Sequence, residues 1–135
     1  MIRLAARAAG RDNLVLITDA MAAAGMPDGA YRLGSLDVLV TNGVARLASA
    51  EPGGPPGSIA GSTATMDAVV RHAITAVGLD VADVAAAAAA NPARRLGLAA
   101  EAGDLRPGLA ADLILLDDTF RLTAVIARGV EVPAP

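Results

Sequence analysis

Cysteine, lysine and tryptophan are absent from this 135-residue chain, which has one Phe, one Tyr and one His. Without cysteine there are no disulfides and no thiolate metal ligands. Without lysine, a phosphate-binding loop ending in Gly-Lys-Ser/Thr cannot be built. The eleven basic residues are all Arg, scattered and without aromatic neighbours, so no nucleic-acid surface is legible. A single His cannot form the His cluster of a hydrolytic metal site. No apolar run reaches the roughly 18 residues of a membrane span. Residues 1–10 lack the continuous apolar core of a signal peptide and read as part of an amphipathic helix. A cytoplasmic protein without nucleic-acid or membrane partners is expected.

Hydrophobic residues make up 54% of the chain, but many are Ala, including Ala85 to Ala90. Ala buries little area, so one ordinary core is expected, and a thin one. The net charge of −3 is modest.

Leu14-Val15-Leu16-Ile17-Thr18-Asp19-Ala20 is the most informative run. Consecutive apolar residues predict a strand buried on both faces, as in parallel sheets. A carboxylate just past the end of such a strand stands where barrel and open α/β enzymes place catalytic groups. Asp19 is therefore the leading candidate catalytic residue. The alternative for Asp19 is a turn cap.

Ile2 to Ala9 reads as a helix ended by Gly10. Pro27-Asp28-Gly29 is a turn. Ala30 to Leu33 and Leu36 to Val40 read as short strands, and Asn42-Gly43 as a hairpin turn returning through Val44 to Leu47. Glu51 to Gly57 (EPGGPPG) is a loop incompatible with helix. A helix follows from about Thr63 to Val77, with Gly78 ending it and Asp80 capping the next. That helix stops near Asn91-Pro92, and Pro92 to Leu96 forms one further turn closed by Gly97. Asp112 precedes a buried-type strand, Leu113 to Leu116. Leu122 to Ala127 and Val130 to Val132 read as two more strands.

Four segments together resemble the C-terminal part of the N-acetylglucosamine-6-phosphate deacetylases, within the amidohydrolase superfamily. They are ITDAMAAAGMPDGAYRLG (Ile17 to Gly34), SIAGSTATM (Ser58 to Met66), NPARRLGL (Asn91 to Leu98) and GDLRPGLAADLILLD (Gly103 to Asp117). The last two identify the superfamily only, and the first two point to the sugar-phosphate deacetylases. The resemblance runs from Ile2 to about Val132.

It implies an α/β fold: the C-terminal fragment of a TIM barrel over residues 1–100, and over 101–135 the C-terminal strands of a small β-sandwich domain. Leu14 to Ile17 would be a late barrel strand. The implied reaction is hydrolysis of the acetamide of N-acetylglucosamine 6-phosphate to glucosamine 6-phosphate and acetate. A divalent metal, zinc or similar, activates the water in the family. Asp19 matches the aspartate that acts as general base and then general acid. Ile59, Ala60 and Gly61 match the segment lining the substrate pocket, where Gly61 lets backbone approach closely.

The family's metal ligands, a glutamate and two histidines, have no match in this chain, so no metal ligand is assigned here. EPGGPPG replaces a usually shorter turn. The isolated chain is therefore expected to be inactive, and a homodimer is expected of the full-length form. The alternatives are a non-catalytic remnant or interaction module, and the C-terminal part of an amidohydrolase acting on another amide.

Other residues carry bland expectations. His72 is a structural or surface histidine, because Asp67 is not at shared-face helical spacing from it. Thr18 orients Asp19 rather than reacting. Ser62 has no partner for nucleophilic chemistry. Asp117-Asp118 end a strand in solvent, and Arg94-Arg95 form a solvated helix end.

Overall fold

The computed structural model describes residues 1–49, 51 and 53–133. Pro52, within the EPGGPPG loop, lies outside the described residues. Contacts divide the chain into two compact units, one of residues Ile17–Ala68 and one of Met1–Leu16 with the chain from Val69 onward.

The first unit is built on a three-stranded antiparallel sheet: β1 (Gly29–Leu33), β2 (Leu36–Thr41) and β3 (Val44–Leu47), in that order. The turn between β2 and β3 has φ of +53° at Asn42 and +72° at Gly43. Positive φ at both central positions is the twist-matched hairpin turn that Asn-Gly favours. The Asp28 carboxylate closes it, accepting from the Asn42 N–H and, at 3.0 Å, from the Gly43 N–H. Strand alternation puts Val38, Val40 and Ala45 on one face, where they bury with Met21, Ala23 and Ala60. Tyr31 and Leu47 pack against that cluster.

The second unit holds most of the helical residues and a second sheet. α1 spans Ile2–Ala9 and ends at Gly10, whose φ is +73°. α2 spans Met66–Thr75. Asp80 caps α3 (Val81–Ala85), accepting from the Ala82 N–H at 2.9 Å and the Asp83 N–H at 3.4 Å. A π turn (Ala86–Ala90) and α4 (Asn91–Arg95) follow without a break. Val70, Ala73 and Val84 form the buried cluster, with Leu16, Ile74, Leu79 and Ala88 packed on it. β4 (Leu113–Leu116), β5 (Leu122–Ala127) and β6 (Val130–Val132) make a second antiparallel sheet in that order.

Three expectations change. Leu14 to Ile17 is in no ladder, and Ile17 is 71% exposed. A central parallel strand takes backbone partners from strands on both sides, and among the described residues none lies beside it. α2 begins at Met66, not Thr63. Residues 62–64 are committed to other bonds, the Ser62 hydroxyl accepting from the Ala64 N–H and the Thr63 carbonyl from the Gly25 N–H. β4 is not buried on both faces: Ile114 and Leu115 are each 49% exposed. It is an edge strand of an antiparallel sheet, so its solvent side stays open.

Candidate functional site

Asp19 has φ of +50°, in the left-handed region that a residue with a Cβ seldom enters. Such outliers persist where surrounding structure holds them, and they concentrate at functional sites. The local hold is visible. The Thr18 hydroxyl accepts from the Ala20 N–H at 3.3 Å, closing a small turn around Asp19. Ala20 then pairs in parallel with Ser62. The Ser62 N–H donates to the Asp19 carbonyl at 2.8 Å, and the Met21 N–H to the Ser62 carbonyl at 2.9 Å.

The other end of this segment is stitched to β3. The Leu47 N–H donates to the Ser58 carbonyl at 2.9 Å, and the Ala60 N–H to the Ala45 carbonyl at 3.0 Å. Residues 58–62 thus run from the edge of the hairpin sheet to the Asp19 turn, and Asp19 and the 59–61 segment come together within one unit.

The three candidate pocket residues face different ways. Ile59 is 66% exposed, and Ala60 is buried in the core beside Met21. Gly61, at φ +98°, passes so close to Asp19 that a Cβ on it would stand 3.1 Å from the Asp19 carbonyl oxygen and 3.3 Å from Met21 Cβ. The close backbone approach that Gly61 permits is therefore to Asp19 itself.

The Asp19 carboxylate is exposed and has no hydrogen-bond partner among the described residues. It does not cap its own turn, since the accepting oxygen there is the Thr18 hydroxyl. An exposed carboxylate on a braced backbone can take and return a proton. Among the described residues no three His, Asp or Glu side chains converge as a metal site. The described residues do not fit the implied metal.

A recess of about 610 Å³ lies elsewhere in the same unit, lined by Leu39, Thr41, Val44 and Arg46 with residues of the 51–56 loop. Asp19 does not line it, so its size alone makes it no part of this site.

The remaining residues resolve plainly. His72 is exposed on α2. The Ser62 hydroxyl is occupied as the acceptor for Ala64. Arg94 and Arg95 are exposed but not merely solvated: Arg94 lies 3.4 Å from the Asp12 carboxylate, and Arg95 donates to Asn13 Oδ1 at 2.7 Å. Asp117 is exposed and accepts from the Arg121 N–H, the Thr119 hydroxyl and the Thr119 N–H, which together hold its carboxyl below the usual carboxylate range. The pairing of Ala20 with Ser62 was not legible in the sequence, because a single bridge between small residues carries no period-two signal.

Residues 2–132 match the Amidohydrolase family. The chain is 40% identical over 119 residues to a putative N-acetylgalactosamine-6-phosphate deacetylase of Escherichia coli K12, covering 88% of this chain and 67% of that protein. It is 38% identical over 128 residues to N-acetylglucosamine-6-phosphate deacetylase of Mus musculus, covering 95% of this chain and 30% of that one. Among solved structures, the Mycobacterium smegmatis N-acetyl-D-glucosamine-6-phosphate deacetylase superposes with a TM-score of 0.84 at 45% identity. That match covers 96% of this chain and 33% of the other. The structure is of an aspartate-to-alanine variant in complex with N-acetyl-D-glucosamine-6-phosphate. The chain thus spans about a third of the length of most of the relatives it matches.

Proposed function

From its membership of the amidohydrolase family, we propose that this chain carries the proton-transferring part of a deacetylase acting on N-acetylglucosamine 6-phosphate. The reaction is hydrolysis of the acetamide to glucosamine 6-phosphate and acetate. The observation that carries the reading is the Ala20–Ser62 pairing, which holds an unpartnered carboxylate, Asp19, beside the 59–61 segment.

In this reading Asp19 removes a proton from the attacking water as general base. It then returns that proton to the nitrogen leaving the acetyl carbon, as general acid. Two features suit Asp19 to both steps. Its backbone is braced on both sides by Thr18 and Ser62, and its carboxylate is not consumed by a structural bond. Ile59, through its exposed side chain, and the backbone of Ala60 and Gly61 supply one wall of the sugar site in this reading.

We read residues 1–100 as the closing part of a hydrolase barrel and 101–135 as a share of a small β-sandwich. Metal ligands, a divalent metal such as zinc, and a homodimeric form belong to the longer family members in this reading, as does a cytoplasmic setting. No helix among the described residues is long and apolar enough to cross a membrane.

The test is acetate release by the protein captured from its own cells, with and without Asp19→Asn. Turnover of N-acetylglucosamine 6-phosphate that falls about 10²- to 10⁴-fold in the variant supports the assignment. Preference for the galactosamine epimer, as the 40% identical relative's name suggests, would change the substrate and keep the mechanism. No turnover of either substrate by the unsubstituted protein would favour a non-catalytic remnant or interaction module.

A further inference from the structure

The turn between β2 and β3 carries a chemical liability as well as a fold signal. The chain has no Gln, so Asn13, Asn42 and Asn91 hold all its side-chain amides. Asparagine is thermolabile because the next residue's backbone nitrogen can attack its side-chain amide carbon. Pro92 follows Asn91 and has no N–H to lose. Leu14 follows Asn13, and its side chain crowds the attacking nitrogen. Gly43 follows Asn42 and crowds nothing; no atom lies within 4 Å of where its Cβ would stand.

The three amides also differ in their partners. Asn91 donates to the Arg11 and Leu14 carbonyls, and Asn13 to the Ala9 carbonyl at 3.1 Å. The Asn42 side chain is exposed and has no hydrogen-bond partner among the described residues. What restrains this pair lies in the backbone instead. The Gly43 N–H donates to the Asp28 carboxylate at 3.0 Å, beside the Asn42 N–H on the other oxygen. The Gly43 carbonyl accepts from the Thr63 hydroxyl.

Attack on the Asn42 amide requires the Gly43 nitrogen to shed its proton and swing toward the Asn42 side chain. A carboxylate on that N–H opposes the first step, because one negative charge disfavours another beside it. The swing turns the Asn42–Gly43 peptide plane and breaks the bond to Asp28, while Thr63 keeps the following plane from turning with it. Asp28, Asn42, Gly43 and Thr63 all belong to one compact unit.

We propose that Asn42 is a self-modification site, a deamidation site that the Asp28 carboxylate holds closed, and that its reaction opens the hairpin turn. The Gly43 nitrogen forms a bond to the Asn42 side-chain carbon, and the bond from that carbon to the amide nitrogen breaks. The amide nitrogen leaves as ammonia with the proton that Gly43 lost. Water then opens the cyclic imide at either carbonyl, leaving aspartate or isoaspartate at position 42. The net change is gain of water and loss of ammonia. Aspartate adds a negative charge to the turn that the Asp28 carboxylate closes. Isoaspartate adds a backbone atom to it. Neither product suits a turn in which one carboxylate takes both N–H groups.

The experiment follows the tryptic peptide Leu33–Arg46, whose only side-chain amide is Asn42, by mass. The full chain, its Asp28→Ala variant and the free peptide are held in the same neutral buffer, and the deamidated fraction is read against time. The chain should react slowest, Asp28→Ala about 5- to 30-fold faster, and the peptide fastest. A variant that reacts no faster than the unsubstituted chain overturns the guarding role of Asp28. If Asp28→Ala unfolds, the unsubstituted chain decides. A scalar coupling from the Gly43 amide to the Asp28 carboxylate and a rate at least about fivefold below the peptide's are then both required. Absence of either overturns the proposal. Asn42→Asp stands for the product, and hydrogen exchange at its Gly43 amide should be about 5- to 30-fold faster. Equal exchange at Gly43 overturns the opening of the turn. None of these readouts depends on deacetylase turnover.

Discussion

Gly61 lies against the backbone of Asp19 with no room for a side chain: a Cβ there would meet the Asp19 carbonyl oxygen at 3.1 Å. The same carbonyl accepts the Ser62 N–H at 2.8 Å. The contact and the hydrogen bond are one device. Only a residue without a Cβ, at φ +98°, lets residue 62 reach Asp19. Gly61→Ala should therefore cost about 1–3 kcal/mol in urea unfolding, combining left-handed strain with a tight contact. A loss below about 0.5 kcal/mol would show that the strap adjusts freely.

Asp19 separates shape from charge. Asn tolerates the left-handed region nearly as well as Asp, whereas a β-branched residue does not. Asp19→Asn should leave the unfolding midpoint almost unchanged, within about 0.5 kcal/mol. Asp19→Val should lose about 1–3 kcal/mol from the φ of +50°. Equal stability of the two variants would refute the claim that backbone strain is held at this position.

Asp28 acts 14 residues away in sequence by closing the Asn42-Gly43 turn through two backbone N–H groups. Asp28→Ala leaves those donors to water. A loss of about 1 kcal/mol is expected, modest because the site is exposed. The change should speed hydrogen exchange at Gly43 before it affects Val40, whose strand position is buried. Identical exchange at Gly43 in both proteins would count against the cap.

Acid should weaken the β4–β5 connection through Asp117. The Arg121 N–H first, then the Thr119 hydroxyl, favour its charged form, so its folded carboxyl titrates below the ordinary value. A depressed folded value means the stabilisation is complete above the unfolded carboxylate pKa, about 3.9, and drains as pH falls through the lower folded value. Asp117→Asn should flatten the pH dependence of local opening at Arg121 below about pH 4. Parallel curves for the two proteins would reject the assignment.

Local physics made much of this chain readable from its residues. Gly10, Asn42-Gly43 and Asp80 act as a helix stop, a hairpin turn and a helix cap, because each choice is decided by one or two residues' own backbone preferences. Alternation in β2 placed Val38 and Val40 on the core side for the same reason. Asp19 and the 59–61 segment could be singled out by residue type and by resemblance. Their adjacency could not, since it depends on one parallel bridge between residues 42 apart in sequence, Ala20 and Ser62. Leu14 to Ile17 shows the limit most clearly. Its apolar run reads as a buried strand, yet a strand exists only where another backbone pairs with it. What holds the run instead is a side-chain amide on Asn91 and the Ala87 carbonyl left open by a π turn, an arrangement that appears only when distant segments meet.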